Sequence, residues 1–392
     1  MPAQGGFVTA PHHHSPDAVV VGAGIAGLAV AQRAAARGLR PLVLDRGAPG
    51  GATTHVAAGM LAPVSEAAFG EEALLRLNLA AAARYPEWVA ELAEAGGRDP
   101  AYRRCGTLLV AGDRDQAEAL ERELAFRLEH GLAVERLRPS RARELEPSLA
   151  PTVRLALHAP DDHAIDPRAL AAALVAAIER GGGEVRAGVG VAGLALEGER
   201  VTGVRLEDGT TVPAGAVVVA AGAWSGELGA GDGRAPARAR VPIRPVKGQL
   251  LRLRDHAGAG LLQRALRTEE CYVVPRGDGD YVVGATVEER GFDTSVTAGA
   301  VHELLRAAFE VLPGVAELEV VETLAGLRPG TPDNAPVLGP GALPGLHWAT
   351  GHHRHGILQA PVTGDVVVAG LLGEPVDPAF APARFQPSEV PA

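Results

Sequence analysis

The residues whose types and spacing carry chemistry begin between Asp17 and Arg46. Gly22, Gly24 and Gly27 stand in G-x-G-x-x-G spacing directly after an apolar run at 18–21. A second apolar run, 41–44, ends on Asp45, roughly twenty residues after the glycines. Gly22 permits a tight turn, Gly24 lets the backbone approach a pyrophosphate, and Gly27 lets helix and strand pack closely. Ile25 and Ala26 sit at the helix N-terminus that faces the phosphates, and Asp45 accepts hydrogen bonds from ribose hydroxyls. A glycine triplet alone fits an ordinary turn. Strand, triplet, helix, strand and terminal acid together point to dinucleotide binding.

The segment after Asp45 is the next candidate. It carries several glycines and the hydroxyls of Thr53 and Thr54, and ends Ala57-Ala58-Gly59-Met60. Small residues let such a segment lie against a planar ligand, with hydroxyls and amides free for phosphate or ring atoms. On composition alone a plain loop explains it as well. Asp161, Asp162, His163 and Asp166 are close enough in sequence for a metal site. A helix cap is the simpler account, because Asp166-Pro167 opens a helical stretch. His12, His13 and His14 lie in an N-terminal tail, 1–16, expected to be disordered.

These groups need elements to hold them. Residues 28–37 read as a helix stopped by Gly38. Residues 67–95 read as a helix kinked or broken at Pro86, and 113–130 as a charged helix closed by Gly131. A short helix at 140–147 is expected over the active face. Residues 183–191 and 200–212 alternate as strands around an Asp208-Gly209 turn, and 216–225 reads as a buried strand. Residues 229–237 read as a mobile connection. Residues 271–276 and 281–286 form a hairpin, 298–312 an amphipathic helix, and 320–327 a strand. A last helix is expected near Ile357, its N-terminus stabilising negative charge on a bound ring.

The 392 residues, 47% of them hydrophobic, exceed one ordinary domain. The net charge of -10 and the lack of a Lys/Arg stripe argue against a nucleic-acid partner. Two distant cysteines, Cys105 and Cys271, form neither a metal pattern nor a disulfide framework, which fits a reducing, cytoplasmic setting. No apolar run reaches membrane-spanning length.

Residues 51–63, ending Ala-Ala-Gly-Met-Leu-Ala-Pro, resemble the flavin-contacting loop of glycine oxidases of the thiamine-pathway (ThiO) type. These are D-amino-acid-oxidase-like flavoproteins. The resemblance extends from about Asp17 to Gly373 in five motif blocks. It implies an α/β fold: a Rossmann-like FAD-binding domain with a central parallel sheet and an inserted antiparallel-sheet substrate domain. The expected division is 17–85, 148–240 and 325–380 for FAD, and 86–147 and 241–324 for substrate. Besides Gly22, Gly24, Ile25, Ala26, Gly27 and Asp45, the resemblance places Arg46, Thr53, Thr54, Ala58, Gly59 and Met60 at FAD. It adds Val191, whose backbone meets the adenine, and Gly222 at a strand end that closes over the dinucleotide. The C-terminal contribution is His352, His353, Arg354, His355, Gly356, Ile357 and Leu358. FAD is expected to be non-covalent, since neither cysteine falls in the C-terminal flavin segment.

For the substrate, the resemblance puts Arg328, in Ala-Gly-Leu-Arg-Pro-Gly-Thr, at the carboxylate. Tyr272 assists through its hydroxyl, Arg354 lies near flavin and substrate, and Met60 walls the pocket. Pro-Val-Lys-Gly at 245–248 is a further family feature. Glu270 replaces a family histidine, His355 an asparagine, Gln359 a leucine, and Val287 a methionine near Thr286. These departures are expected beside the pocket. The implied reaction is oxidation of glycine, sarcosine or small D-amino acids to the imine with O2 reduced to H2O2. Little side-chain acid/base chemistry is required, because the nitrogen lone pair drives hydride loss. The imine would feed the thiazole of thiamine or hydrolyse to glyoxylate. A homo-oligomer is common among such proteins. A quinone-linked D-amino-acid dehydrogenase, a non-catalytic flavin subunit and a nicotinamide dehydrogenase are the competing readings.

Overall fold

The computed structural model describes residues 15–230, 239–258, 260–277 and 279–385. The histidines of the tail and most of the 229–237 connection lie outside them. The helices are α1 (Ile25–Ala36), α2 (Thr53–Val56), α3 (Glu72–Gly96), α4 (Arg114–Glu129), α5 (Pro139–Leu145), α6 (Pro167–Arg180), α7 (Ala298–Val311) and α8 (Ala360–Leu371).

Short runs of branched aliphatic residues build the first sheet. Its order is Val337–Pro340, Leu346–Thr350, Ala216–Val219, Ala18–Val21, Pro41–Leu44 and Glu184–Arg186. All neighbours are parallel except the edge strand Val337–Pro340. The central strands are buried on both faces, which explains why they read as unbroken apolar runs. Val20, Val43 and Val218 pack under α1, α3, α6 and α8. Val19, Val21, Leu42, Leu44, Val217 and Val219 face the meander Val191–Glu197, Arg200–Leu206 and Thr211–Pro213. This is the α/β arrangement expected from the motifs.

Pro86 neither breaks α3 nor divides it into two helices. An interior proline costs roughly 3 kcal/mol. The buried side chains of Tyr85, Trp88, Val89 and Leu92 around it offset that cost. Asp166 accepts from the amides of Arg168 and Ala169 at 2.8 and 3.4 Å and caps α6, as its position before Pro167 anticipates.

A second sheet has eight strands, in the order Glu319–Gly330, Arg244–Arg254, Asp280–Gly284, Tyr272–Gly277, Ala265–Arg267, Thr107–Ala111, Leu155–Ala159 and Glu135–Leu137. Its neighbours are antiparallel apart from Ala265–Arg267 with Thr107–Ala111. Leu251, Val273 and Val283 pack with α5 and α7 on one face. Leu250, Val274 and Val282 face Val56, Ala58 and Met60 on the other. Helix α5 therefore lies behind the sheet and not over the active face, because Ala142 and Leu145 are drawn into the α7 core. Among the described residues no helix is long and apolar enough to cross a membrane.

Candidate active site

The carboxyl ends of the parallel strands bring the glycine motif, Asp45 and the 50–60 segment together. Gly22 has φ +107°, and an added Cβ would come 2.5 Å from the Ala220 carbonyl oxygen. Gly27 packs onto the Gly22 carbonyl with less room still. Asp45 accepts from the amides of Ala23 and Gly47, both at 2.7 Å. The amides of Gly188 and Val189 bond the carbonyls of Gly47 and Asp45, which brings Val191, two residues on, near the acid. Arg46 is exposed beside it.

The two threonine hydroxyls take different partners. Thr53 donates to the Leu327 carbonyl at 2.7 Å, so it fastens this segment to the strand carrying Arg328. Thr54 accepts from the Ile25 amide at 2.9 Å, keeping its own proton to donate. Gly59 has φ +71°, and its carbonyl accepts from Ile165 at 2.9 Å. Arg276 donates to the carbonyls of Ile165 and Ala57 and braces the same turn. Met60 pairs with Ala164 in a small sheet.

Arg328 and Tyr272 share the sheet face that looks toward this segment. Two glycines make room for them. A Cβ at Gly248 would lie 2.5 Å from the Arg328 guanidinium, and one at Gly284 would lie 2.5 Å from the Tyr272 hydroxyl. Arg328 donates to the Thr286 carbonyl at 3.1 Å. Burial pushes the Tyr272 phenol up, while the facing Arg328 pulls it back. Lys247, one residue from Gly248, points to the opposite face and bonds Asp293 at 2.7 Å.

The C-terminal segment closes the site. His353, with φ +46°, donates its amide to the Pro329 carbonyl at 2.9 Å. Its ring Nδ1 is buried without a partner. His352 bonds the Thr363 hydroxyl at 2.8 Å. Burial first, then neighbouring positive charge, pushes His353 down to about 4, with Arg354 and Arg328 as the main cations. His352 and His355 are likewise pushed by burial to about 4. Gly356 and the buried Ile357 and Leu358 form a turn, and α8 begins three residues after Ile357, at Ala360. The Ile357 carbonyl is taken by the Tyr85 hydroxyl at 2.8 Å.

One acid in this cluster carries no motif. Glu66 lies 3.5 Å from His355 Nδ1, 3.7 Å from Arg267 and 3.8 Å from Arg354. Burial pushes its carboxyl up, but Arg267, His355, Arg354 and Arg328 outweigh that and leave it below the usual range. Glu71 stands 4.0 Å from Arg354. The site is thus richer in titratable groups than hydride loss from an amine requires. Only a fold that returns residue 66 to residues 267 and 355 reveals Glu66.

The departures separate. His355 lies inside the cluster. Glu270 instead pairs with Arg306 of α7 at 2.8 Å, Val287 is 72% exposed, and Gln359 donates to buried Asn78 at 2.7 Å. The acidic run resolves likewise: Asp162 is spent on backbone amides and Asp166 on the α6 cap. Cys105 and Cys271 are free thiols, and burial pushes Cys271 up to about 11.

Residues 17–369 match the family model described as FAD dependent oxidoreductase, DAO. The chain belongs to this FAD-dependent oxidoreductase family. Glycine oxidase from Geobacillus kaustophilus is 34% identical over 375 residues, covering 95% of this chain and 96% of that protein. Its crystal structure matches with a TM-score of 0.86 at 32% identity, over 97% of this chain and 100% of that one. The bifunctional protein ThiO/ThiG of Trichormus variabilis is 33% identical over 381 residues. That match covers 94% of this chain but 55% of the relative, so the chain spans about half its length. Hydrogen cyanide synthase subunit HcnC of Pseudomonas aeruginosa is 32% identical over 410 residues, covering 95% and 96%. The family, the FAD cofactor and the amine-oxidase class expected from the motifs agree with these relatives.

The FAD-dependent fold has ground suited to its cofactor. A Cβ at Gly24 would meet only the Thr54 hydroxyl, at 3.7 Å, and one at Gly222 would meet nothing within 4 Å. Open backbone at two strand ends, an acid at a third and the N-terminus of α1 between them suit an extended dinucleotide.

Proposed function

We propose that the protein oxidises glycine and other small amino acids to the imine. The observation that carries this reading is Arg328 beside Tyr272 on a shared sheet face, with Arg354, His355 and Glu66 near and Thr53 tying that strand to the cofactor segment. Arg328 takes the substrate carboxylate through two parallel N–H···O bonds, and the Tyr272 hydroxyl donates a third. Arg354 sits at the mouth of this cluster and Met60 forms a wall. Gly22, Gly24, Ile25, Ala26, Gly27 and Asp45 hold the dinucleotide half, with Arg46, Val191 and Gly222 around the adenosine. Thr54, Ala58, Gly59 and the 352–358 segment hold the ring. FAD, when bound, supplies the hydride acceptor. The chain supplies orientation, a fixed carboxylate anchor and a buried setting, which are large terms for a step that needs no side-chain base.

With O2 as final oxidant, the two electrons and two protons that leave glycine appear as H2O2. The imine hydrolyses to glyoxylate and ammonia, or enters thiazole assembly, a role favoured by likeness to ThiO/ThiG. We assign 17–85, 148–240 and 325–380 to the FAD-binding unit and 86–147 and 241–324 to the substrate unit. Arg328→Ala should raise the glycine KM by about 100-fold or more, two charged hydrogen bonds contributing roughly 1.5–3 kcal/mol each. An unchanged KM removes Arg328 from the substrate.

A second reading, with electrons passed to a partner and not to O2, is favoured by the likeness to HcnC, a subunit of hydrogen cyanide synthase. Glycine-dependent O2 consumption by the purified chain separates the two. Its absence, while an artificial dye is still reduced, selects the partner reading.

A further inference from the structure

Glu66 is reached through a dipeptide whose backbone is held by charged side chains. Buried Asp162 accepts from the Val64 amide at 2.9 Å and from the Ser65 amide at 2.7 Å. Arg127 of α4, also buried, donates Nε to the Val64 carbonyl at 2.9 Å and Nη2 to the Ser65 carbonyl at 2.8 Å. Arg267 donates to the same Ser65 carbonyl. All four backbone hydrogen-bonding groups of two successive residues are therefore bound to three charged side chains from three separate parts of the chain. Burying ionised groups is expensive, and a turn needs no such groups for its own sake. The clamp ends one residue before Glu66.

The charges around Glu66 show what such a clamp would serve. Arg328, Tyr272 and Arg267 come from three strands of the large sheet, and Arg354 and His355 from the C-terminal segment. Glu71 adds a second acid beyond Arg354. Three guanidinium groups attract a carboxylate but repel the ammonium of the same small molecule. A carboxylate fixed among them restores balance at the amine end.

We propose that Asp162 and Arg127 are positioning residues that hold Glu66 as the counter-charge for the substrate's ammonium group. The inference rests on the amino-acid oxidase reading above. Glu66 stabilises the protonated amine and so lowers KM. The amine must lose that proton before hydride leaves, so the same charge raises the pH at which kcat climbs. The groups facing Asp162 in this balance are Arg127, Glu66 and Cys105.

The test is a double-mutant cycle on the FAD-loaded enzyme, with Asp162→Asn, Glu66→Gln and the pair, measuring kcat and KM for glycine against pH. Asparagine keeps the shape of Asp162 but offers one acceptor where two are used. Asp162→Asn should raise KM about tenfold, a cost of the size small misplacements produce. It should also move the acidic limb of kcat down by roughly one pH unit, as loss of a nearby opposite charge does. Glu66→Gln should do the same, and the double variant should fall within about twofold of Glu66→Gln alone. Effects that multiply, or a KM unmoved by Asp162→Asn, overturn the clamp. If Asp162→Asn does not retain FAD, Arg127→Lys takes its place in the cycle with the same two outcomes. Wild-type flavin that no small amino acid reduces overturns the functional reading and the clamp with it. Reduction by glycine with multiplying variants overturns the clamp alone.

Discussion

Arg328 shows how far single residues can be read. Its motif singles it out, yet the room that it and Tyr272 occupy is left by glycines elsewhere, Gly248 beneath Arg328 and Gly284 beneath Tyr272. Gly248→Ala should displace the guanidinium and raise the glycine KM by about tenfold or more while the flavin spectrum stays intact, since misplacement alone is costly. Steady-state kinetics beside the absorption spectrum checks this, and a KM within twofold of wild type counts against the shared face. The histidines make a pH prediction. His352, His353 and His355 are held near 4 by burial, against an ordinary value near 6.5. Between pH 6.5 and 4 the unfolded chain therefore binds more protons than the folded one, and stability falls as pH falls through that window. Asp162 opposes this, because burial raises its carboxyl to about 6 and the folded state then takes up a proton first. Three groups outweigh one, so the urea midpoint should drop on acidification. His355→Asn should flatten the slope, and an unchanged slope removes His355 from the account.

At the scale of elements, legibility depended on whether the signal was local. The α6 cap at Asp166 and the Gly22–Gly27 turn follow from residues within a few positions of each other, and both are found. Pro86 is also a local signal, but it was overruled by burial of Tyr85, Trp88 and Leu92. Helix α5 and Glu270 were expected at the site and lie behind the sheet, because strand alternation decides which face a residue takes and α7 draws both toward it. Glu66 was invisible, since its partners are about two hundred residues or more away in the chain. Thr53 links the two halves of the site through the Leu327 carbonyl. Thr53→Val should therefore disturb substrate binding as well as FAD affinity, with KM for glycine raised several-fold even at saturating FAD. An effect on FAD affinity alone would mean that the link to the Arg328 strand carries no functional weight.

Across the whole molecule, the surface we assign to FAD is assembled from strands that begin at residues 18, 41, 184, 216 and 346, segments that the chain order keeps apart. Ligand binding to the native state alone adds about 2.7 kcal/mol at a hundredfold excess over Kd. Stripping FAD should therefore lower Tm by several degrees, and re-adding it should restore the loss; a Tm indifferent to FAD contradicts a cofactor site built across the sheet. The family and the parallel sheet were legible because their motif is continuous, whereas the substrate face needed the second sheet's register. The central claim, that FAD and a small amino acid meet between these two sheets, is tested most directly by the absorption spectrum of the FAD-loaded protein before and after glycine is added without oxygen. The account predicts oxidised-flavin bands that bleach with glycine and return on admitting air. Bands that persist with glycine, sarcosine and small D-amino acids alike would contradict it.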